Sequence, residues 1–375
     1  MTPSSSRVLF VDLARALAVL FMIQGHTLNV LLAPEYSSGP VFDSWLFLRG
    51  LTSRLFLLLA GFAFTVATSR HWDENRRAST RTLRRVGRFL FFILLGYSMR
   101  FPVAHLRDLA FLRPEHWRYF LTVDILQCIG AGLLLLQLLV FVARTRTRFI
   151  AATAGLCLVV VAATPLAAGI DGTGTVPVGL AAYLSTATGS LFPFLPWGGY
   201  LLLGAALGGL YAGWGARRLP AFTKGVMAAG GAAAIVLGLA LELLHVGPFA
   251  RAGFWSTSPY LFLVTAGSAL VLLAGFALAS RRVRRLPPVL QALAEESLII
   301  YFIHIFIVYG SSWNPGLRQL VGGRLDLSGT AVWIAIIITA MAGLAWVWHR
   351  VKHDYPQATR LVKLTAAACV IYSLA

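Results

Sequence analysis

The sequence predicts an all-α membrane protein: a polytopic helix bundle of about ten or eleven transmembrane helices with its N-terminus in the cytoplasm. Three observations carry this. Only 12% of the residues are charged while 58% are hydrophobic, against the roughly 25% charged residues of an ordinary soluble domain. Apolar runs recur along the whole chain, and most are long enough to cross about 30 Å of hydrocarbon. The basic residues fall in alternate loops, as they do when loops alternate between the two sides of a membrane.

The runs lie at about 8–32, 46–69, 89–104, 119–142, 149–168, 190–213, 225–246, 258–280, 294–312 and 329–348, with a weaker one at 362–375. Between them, Arg70 to Arg88 holds seven basic residues, Arg144 to Arg148 three, Arg217 to Lys224 three, Arg281 to Arg285 four and Arg350 to Lys363 four. The intervening segments hold the smaller share: Arg49, Arg54, Arg100, Arg107, Arg113, Arg118, Arg251, Arg318 and Arg324. The positive-inside rule therefore places the N-terminus and loop 70–88 in the cytoplasm, and loops 33–45 and 105–118 outside, with Trp117 and Tyr119 in an interfacial aromatic belt. Loop 169–189, rich in Gly, Thr, Ser and Pro, folds back at the outer surface in this reading.

The net charge of +18 is thus a topology signal, and no nucleic-acid partner is expected. Only Lys224, Lys352 and Lys363 are lysine, a bias resembling an arginine-rich bacterial genome, so the expected location is the inner (plasma) membrane of a bacterium. No signal peptide is expected, because Met1–Ser6 lacks a charged n-region. With no long linker, low-complexity tract or internal repeat, residues 1–375 read as a single transmembrane domain. Cys128, Cys157 and Cys369 lie in separate runs without metal-ligand or redox spacing, and no metal is expected.

Ionisable groups inside the apolar runs are functional candidates by default: Asp12, Arg15, His26, Asp124, Glu242, Glu295, Glu296 and His304. Eleven helical steps bring His26 to within about 20° of Arg15, some 16 Å further along the same face. Asp12 and Arg15, three apart, can pair. Gln24 and Asn29 make the turn around His26 unusually polar. In the ninth run Ser297, Tyr301 and His304 share one face, which must meet protein or a cavity because lipid would leave them unsatisfied. Asp124 and Gln127 lie one turn apart in the fourth run, and Arg54 opens an apolar stretch leading to Gly61. Arginines 77, 81, 84, 85 and 88 have helical spacing that extends the third run as a basic face. That face either sets orientation or attracts a polyanion such as coenzyme A.

The Arg15-x10-His26 spacing, Phe56-Leu-Leu-Leu-Ala60-Gly61-Phe62 and Ser297-Leu-Ile-Ile-Tyr301-Phe-Ile-His304 resemble the transmembrane acyltransferases of the acyltransferase-3 group. Asp124-Ile-Leu-Gln127-Cys128-Ile-Gly130 and Leu195-Pro196-Trp197-Gly198-Gly199-Tyr200 are similar to the related heparan-α-glucosaminide N-acetyltransferase branch. The chain departs at Ala60, where the first pattern usually has Ser, and at Cys128, where the second usually has Arg.

The resemblance, covering roughly residues 7–350, implies transfer of an acyl group, usually acetyl from cytosolic acetyl-CoA, to a hydroxyl or amine of a glycan or lipid-linked acceptor across the bilayer. It places the family's essential Arg and His on Arg15 and His26, and its late Tyr and His on Tyr301 and His304. Arg15 with Arg84, Arg85 and Arg88 is then expected to hold the acyl-CoA phosphates, since a guanidinium fork suits phosphate. His26 is the expected general base, with an unperturbed pKa matched to neutral pH. Asn29, Tyr301 and His304 are candidate oxyanion donors, and Asp12, Arg54, Asp124 and Gln127 supporting groups. The main rival is a transporter or flippase of a lipid-linked or anionic solute; such proteins often pair broken spans in matching halves, a pattern missing here. A third reading is a non-catalytic assembly subunit with Arg15 and His26 as structural glue.

Overall fold

The computed structural model describes residues 8–214, 218–283, 285–362 and 364–365. Most of the weak run at 362–375, together with Arg217, Arg284, Lys363 and Cys369, lies outside them. The described residues form helices with no strand, apart from a single parallel bridge between Leu32 and Leu325. In chain order the helices begin with α1 (Leu9–Leu31), α2 (Pro40–Arg70), α3 (Trp72–Asn75), α4 (Thr80–Ser98), α5 (Pro114–Leu121), α6 (Ile125–Val142), α7 (Arg146–Ala167) and α8 (Val178–Leu184). They continue with α9 (Phe194–Trp214), α10 (Leu219–Ala221), a π-helical stretch Phe222–Ala229, α11 (Gly230–Leu243), α12 (Pro259–Ser280), α13 (Pro288–Glu295), α14 (Ser297–Tyr309), α15 (Leu317–Leu320) and α16 (Leu327–Asp354).

Among the described residues, eight helices are long and apolar enough to cross a membrane: α1, α2, α6, α7, α9, the continuous 219–243 segment, α12 and α16. The pair α13 and α14, bent by 79° at its break, makes a ninth if counted as one span. The protein is a polytopic helical membrane protein. The differences from the expected ten have local causes. The third run corresponds to α4, whose first three turns carry Arg81, Arg84, Arg85 and Arg88, and which stops at Ser98; Pro102 disfavours helical backbone at Phe101. The fourth run remains a span but starts later than expected because Asp124 caps α6: its carboxylate accepts from Ile125 N at 2.7 Å, while its own N–H donates to Gln127 Oε1 at 3.3 Å, a reciprocal capping box.

The chain divides into two compact units, the first comprising Met1–Thr52, Met99–Trp117 and Ala279–Ala375, the second Ser53–Ser98 and Arg118–Leu278. In the first, α1 packs against α13, α14 and α16. The last carbonyls of α1 find partners in the loop before α16: Gly323 N donates to Val30 O at 2.8 Å and Leu325 N to Leu31 O at 3.0 Å, answering the orphan-carbonyl problem of a helix end. Asp326 caps α16 by accepting from Gly329 N at 2.8 Å. That bond, with the Ser328 hydroxyl, holds its carboxyl below the usual range.

In the second unit, α6, α7 and α9 enclose a core containing Leu57, Leu136, Phe149, Leu201 and Leu202. Glycines let backbones touch. A Cβ at Gly61 would strike the Leu201 carbonyl oxygen, and one at Gly204 the Leu58 carbonyl oxygen, so α2 and α9 cross without a side chain between them, as small residues allow in membrane helices. Arg85 turns inward. Its guanidinium donates to Asn75 Oδ1 at 2.7 Å and Thr68 Oγ1 at 2.8 Å and lies 4.7 Å from the centre of the Phe64 ring, while Gln137 bonds the Asn75 carbonyl.

Candidate active site

His26 lies five residues before the end of α1, and its companion comes from 278 residues away. His26 Nδ1 is 2.9 Å from His304 Nε2 on α14, and the two ring planes are parallel to 7° with centroids 5.2 Å apart, so the rings meet edge to edge along the hydrogen bond. His304 is fully buried, and its Nδ1 faces the Ile300 carbonyl at 2.7 Å. A carbonyl only accepts, so His304 carries its hydrogen on Nδ1. With both rings neutral, Nε2 of His304 is then an acceptor and Nδ1 of His26 must donate to it. The basic nitrogen left on His26 is Nε2. A backbone carbonyl and a second imidazole therefore orient a base, the role a third group plays in nucleophile–base–orienter arrangements.

Two tyrosines frame the pair, Tyr309 edge-on to His26 at 5.7 Å and Tyr301 edge-on to His304 at 5.8 Å. Part of α2 completes the surroundings within the same unit. Arg49 Nη1 donates to Asn29 Oδ1 at 3.3 Å, and Trp45 Nε1 to Gln24 Oε1 at 3.2 Å. The stem of Arg49 crosses Gly25, where a Cβ would come within 2.8 Å of its Cγ and Cδ, and its guanidinium lies 5.4 Å from the Trp45 ring centre. Its charge groups Arg49 with the outer loop residues in the sequence, although it lies inside the run 46–69, and the structure places it well within α2, which starts at Pro40. Tyr309 was also missed; its only signal is a position five residues after His304 on the same helix.

Arg15 pairs with Asp12 at 3.5 Å, both partly exposed, about three turns before His26 on α1. His304, expected as an oxyanion donor, has both ring nitrogens engaged in the chain from Ile300 to His26 and cannot serve as one while that chain is intact. Asp124 and Gln127 form the α6 cap, which accounts for their spacing without a substrate. Of the expected phosphate-binding arginines on α4, Arg84 and Arg88 are exposed, but Arg85 is buried and turned to Asn75 and Thr68, which removes it from a surface face.

Arg54 occupies a separate feature of the second unit. Its Nε donates to Tyr200 Oη at 3.2 Å, and its guanidinium lies 5.1 Å from the Trp197 ring centre. Tyr200 Oη in turn lies 2.7 Å from Thr265 Oγ1. Arg54, Trp197 and Tyr200 border a cavity of about 260 Å³ whose wall includes Ser185, Thr186, Ser256, Thr257 and Ser258.

A family model described as heparan-alpha-glucosaminide N-acetyltransferase, catalytic, matches residues 7–238, more than half of the chain. No curated protein matches it.

Proposed function

Since the chain belongs to the family of heparan-alpha-glucosaminide N-acetyltransferase catalytic domains, we propose that it moves acetyl from acetyl-CoA to the amine of an amino sugar on a glycan or lipid-linked acceptor, with His26 as the base. The observation that carries this reading is the hydrogen-bonded chain Ile300 carbonyl, His304, His26, which leaves Nε2 of His26 unprotonated. The acceptor nitrogen attacks the thioester carbonyl and its proton passes to His26 Nε2. The carbon–sulfur bond breaks, and the proton returns to the departing thiolate, so that the products are the acetamide and free coenzyme A. Arg49, beside the polar turn of α1, supplies a fixed positive charge for the developing oxyanion, the kind of preorganised charge that lowers such barriers.

The purified full-length chain tests the assignment. Incubated with acetyl-labelled acetyl-CoA and glucosamine-terminated acceptors, it should transfer label to the amine. Release of coenzyme A without labelled acceptor, across both amine and hydroxyl acceptors, would remove the transferase reading.

The donor is assigned to the cytoplasmic face and the acceptor to the opposite one. Arg15 and His26 lie on one helix, about 16 Å apart along its axis, and the arginine-rich segment 70–88 marks the side from which a polyanion arrives. In sealed vesicles of known orientation, acetyl-CoA at the face bearing Ser79 should acetylate an acceptor confined to the other face. Its apparent affinity should fall as salt rises, since exposed phosphate contacts are screened over about 8 Å at physiological ionic strength. Arg15→Lys should raise the KM for acetyl-CoA severalfold, because a point charge does not reproduce a two-bond fork. A requirement for both substrates on one face would rule out transfer across the membrane.

A further inference from the structure

Away from the histidine pair, the end of α13 meets the last turns of α16 at a group of side chains that the acetyl-transfer reading does not use. His349 and His353 stand four apart on α16, and Glu295 ends α13. One donor atom of each lies within 4.8 Å of the others. His349 Nδ1 is buried, makes no hydrogen bond and lies 3.5 Å from Glu295 Oε2. Two ligands bound about 2.1 Å from a tetrahedral ion are about 3.4 Å apart, so this separation suits a shared cation without movement.

The neighbours of these three side chains are arranged as supports. Gln291 Nε2 donates to Glu295 Oε1 at 2.9 Å, which leaves Oε2 toward His349. His353 Nδ1 faces the His349 carbonyl at 2.8 Å and so carries its hydrogen there, leaving Nε2 with a lone pair. Metal-binding histidines almost always donate their second nitrogen to a carbonyl or carboxylate in this way. The other nearby carboxylate, Glu296, has Oε1 3.6 Å from His349 Nδ1 and pairs through that same oxygen with Lys352 Nζ at 2.6 Å. Two histidines four apart on one helix face form a recurrent half-site for zinc.

We propose that Glu295, His349 and His353 form a three-ligand site for a divalent transition metal, zinc by its nitrogen and oxygen donor set, with the fourth position left to water. The ion ties the end of α13 to α16 beside the break that precedes α14. His353, exposed on the last turn, closes over the ion by a small ring rotation, while His349 and Glu295 are already in place.

The test uses full-length protein in detergent, stripped with chelator and dialysed against zinc, with His105→Ala as a histidine-loss comparison. Wild type and His105→Ala should retain about one zinc per chain, whereas His353→Ala and Glu295→Gln should bind at least tenfold more weakly. Cobalt in place of zinc should give the visible absorption of a four-coordinate ion in wild type. Zinc should raise the unfolding temperature of wild type and leave that of His353→Ala unchanged. Because His353 is exposed, its variant folds even if Glu295→Gln does not. Wild type without zinc above buffer level, or His353→Ala binding zinc as tightly as wild type, would overturn the proposal.

Discussion

His26→Ala should lower the rate of acetyl transfer by about 10²–10⁴-fold, the usual cost of losing a general base, while the protein still folds and inserts. The imidazole is only partly buried and, among the described residues, is hydrogen-bonded to His304, so its removal subtracts the proposed base and leaves the apolar faces of α1 intact. His304→Ala should fall between wild type and His26→Ala, because it removes the group that fixes the His26 ring and not the nitrogen that takes the proton. The two variants also separate in their pH–rate profiles: the ascending limb set by the base should shift in His304→Ala and vanish in His26→Ala. Retention of more than about a tenth of wild-type activity by His26→Ala would assign the base elsewhere.

The second large effect is on folding. Gly61→Val and Gly204→Val should each prevent recovery of folded protein from the membrane, because each added side chain would strike a backbone carbonyl, that of Leu201 or Leu58. Overpacking against movable side chains typically costs about 1–3 kcal/mol; against backbone in a helix crossing the cost should exceed that range. Gly213→Val is the matched control on α9, where nothing lies within 4 Å of the added Cβ. Detergent extraction followed by size-exclusion chromatography reads the outcome, and a monodisperse Gly204→Val protein would mean that α2 and α9 can separate at little cost.

What could be read in advance follows from how local each signal is. Arg15 and His26 were visible because charged and titratable groups are scarce in apolar runs, and the shared face of Tyr301 and His304 follows from helical spacing alone. That His26 and His304 touch is a fact about two helices brought together by the fold, and no residue near either one encodes it. Asp124 and Gln127 show the opposite difficulty. A spacing of three serves equally for a polar face and for a capping box, and only the backbone bonds at Asp124 and Ile125 distinguish them. On α4, Arg84, Arg85 and Arg88 look alike in composition. The 100° between successive residues puts Arg85 on the side facing Asn75 and Thr68, whereas Arg84 and Arg88, one turn apart, face outward. The eight clear spans were legible by length, and the discrepancies came where arginines, Pro102 or a cap interrupt an apolar run.

The hydrogen-bonded imidazoles also bear on where charge would reside in the proposed reaction. When Nε2 of His26 accepts a proton, its Nδ1 hydrogen can slide across 2.9 Å to His304, leaving the first ring neutral and the second cationic against the Ile300 carbonyl. The positive charge then moves one ring away from the substrate along a path that is already hydrogen-bonded. Such a pair spreads a single cation over two imidazole rings and a backbone dipole in a medium that solvates charge poorly, and in the proposed reaction it would let the His26 ring become a proton donor to the departing sulfur without having stayed fully ionised in the interval.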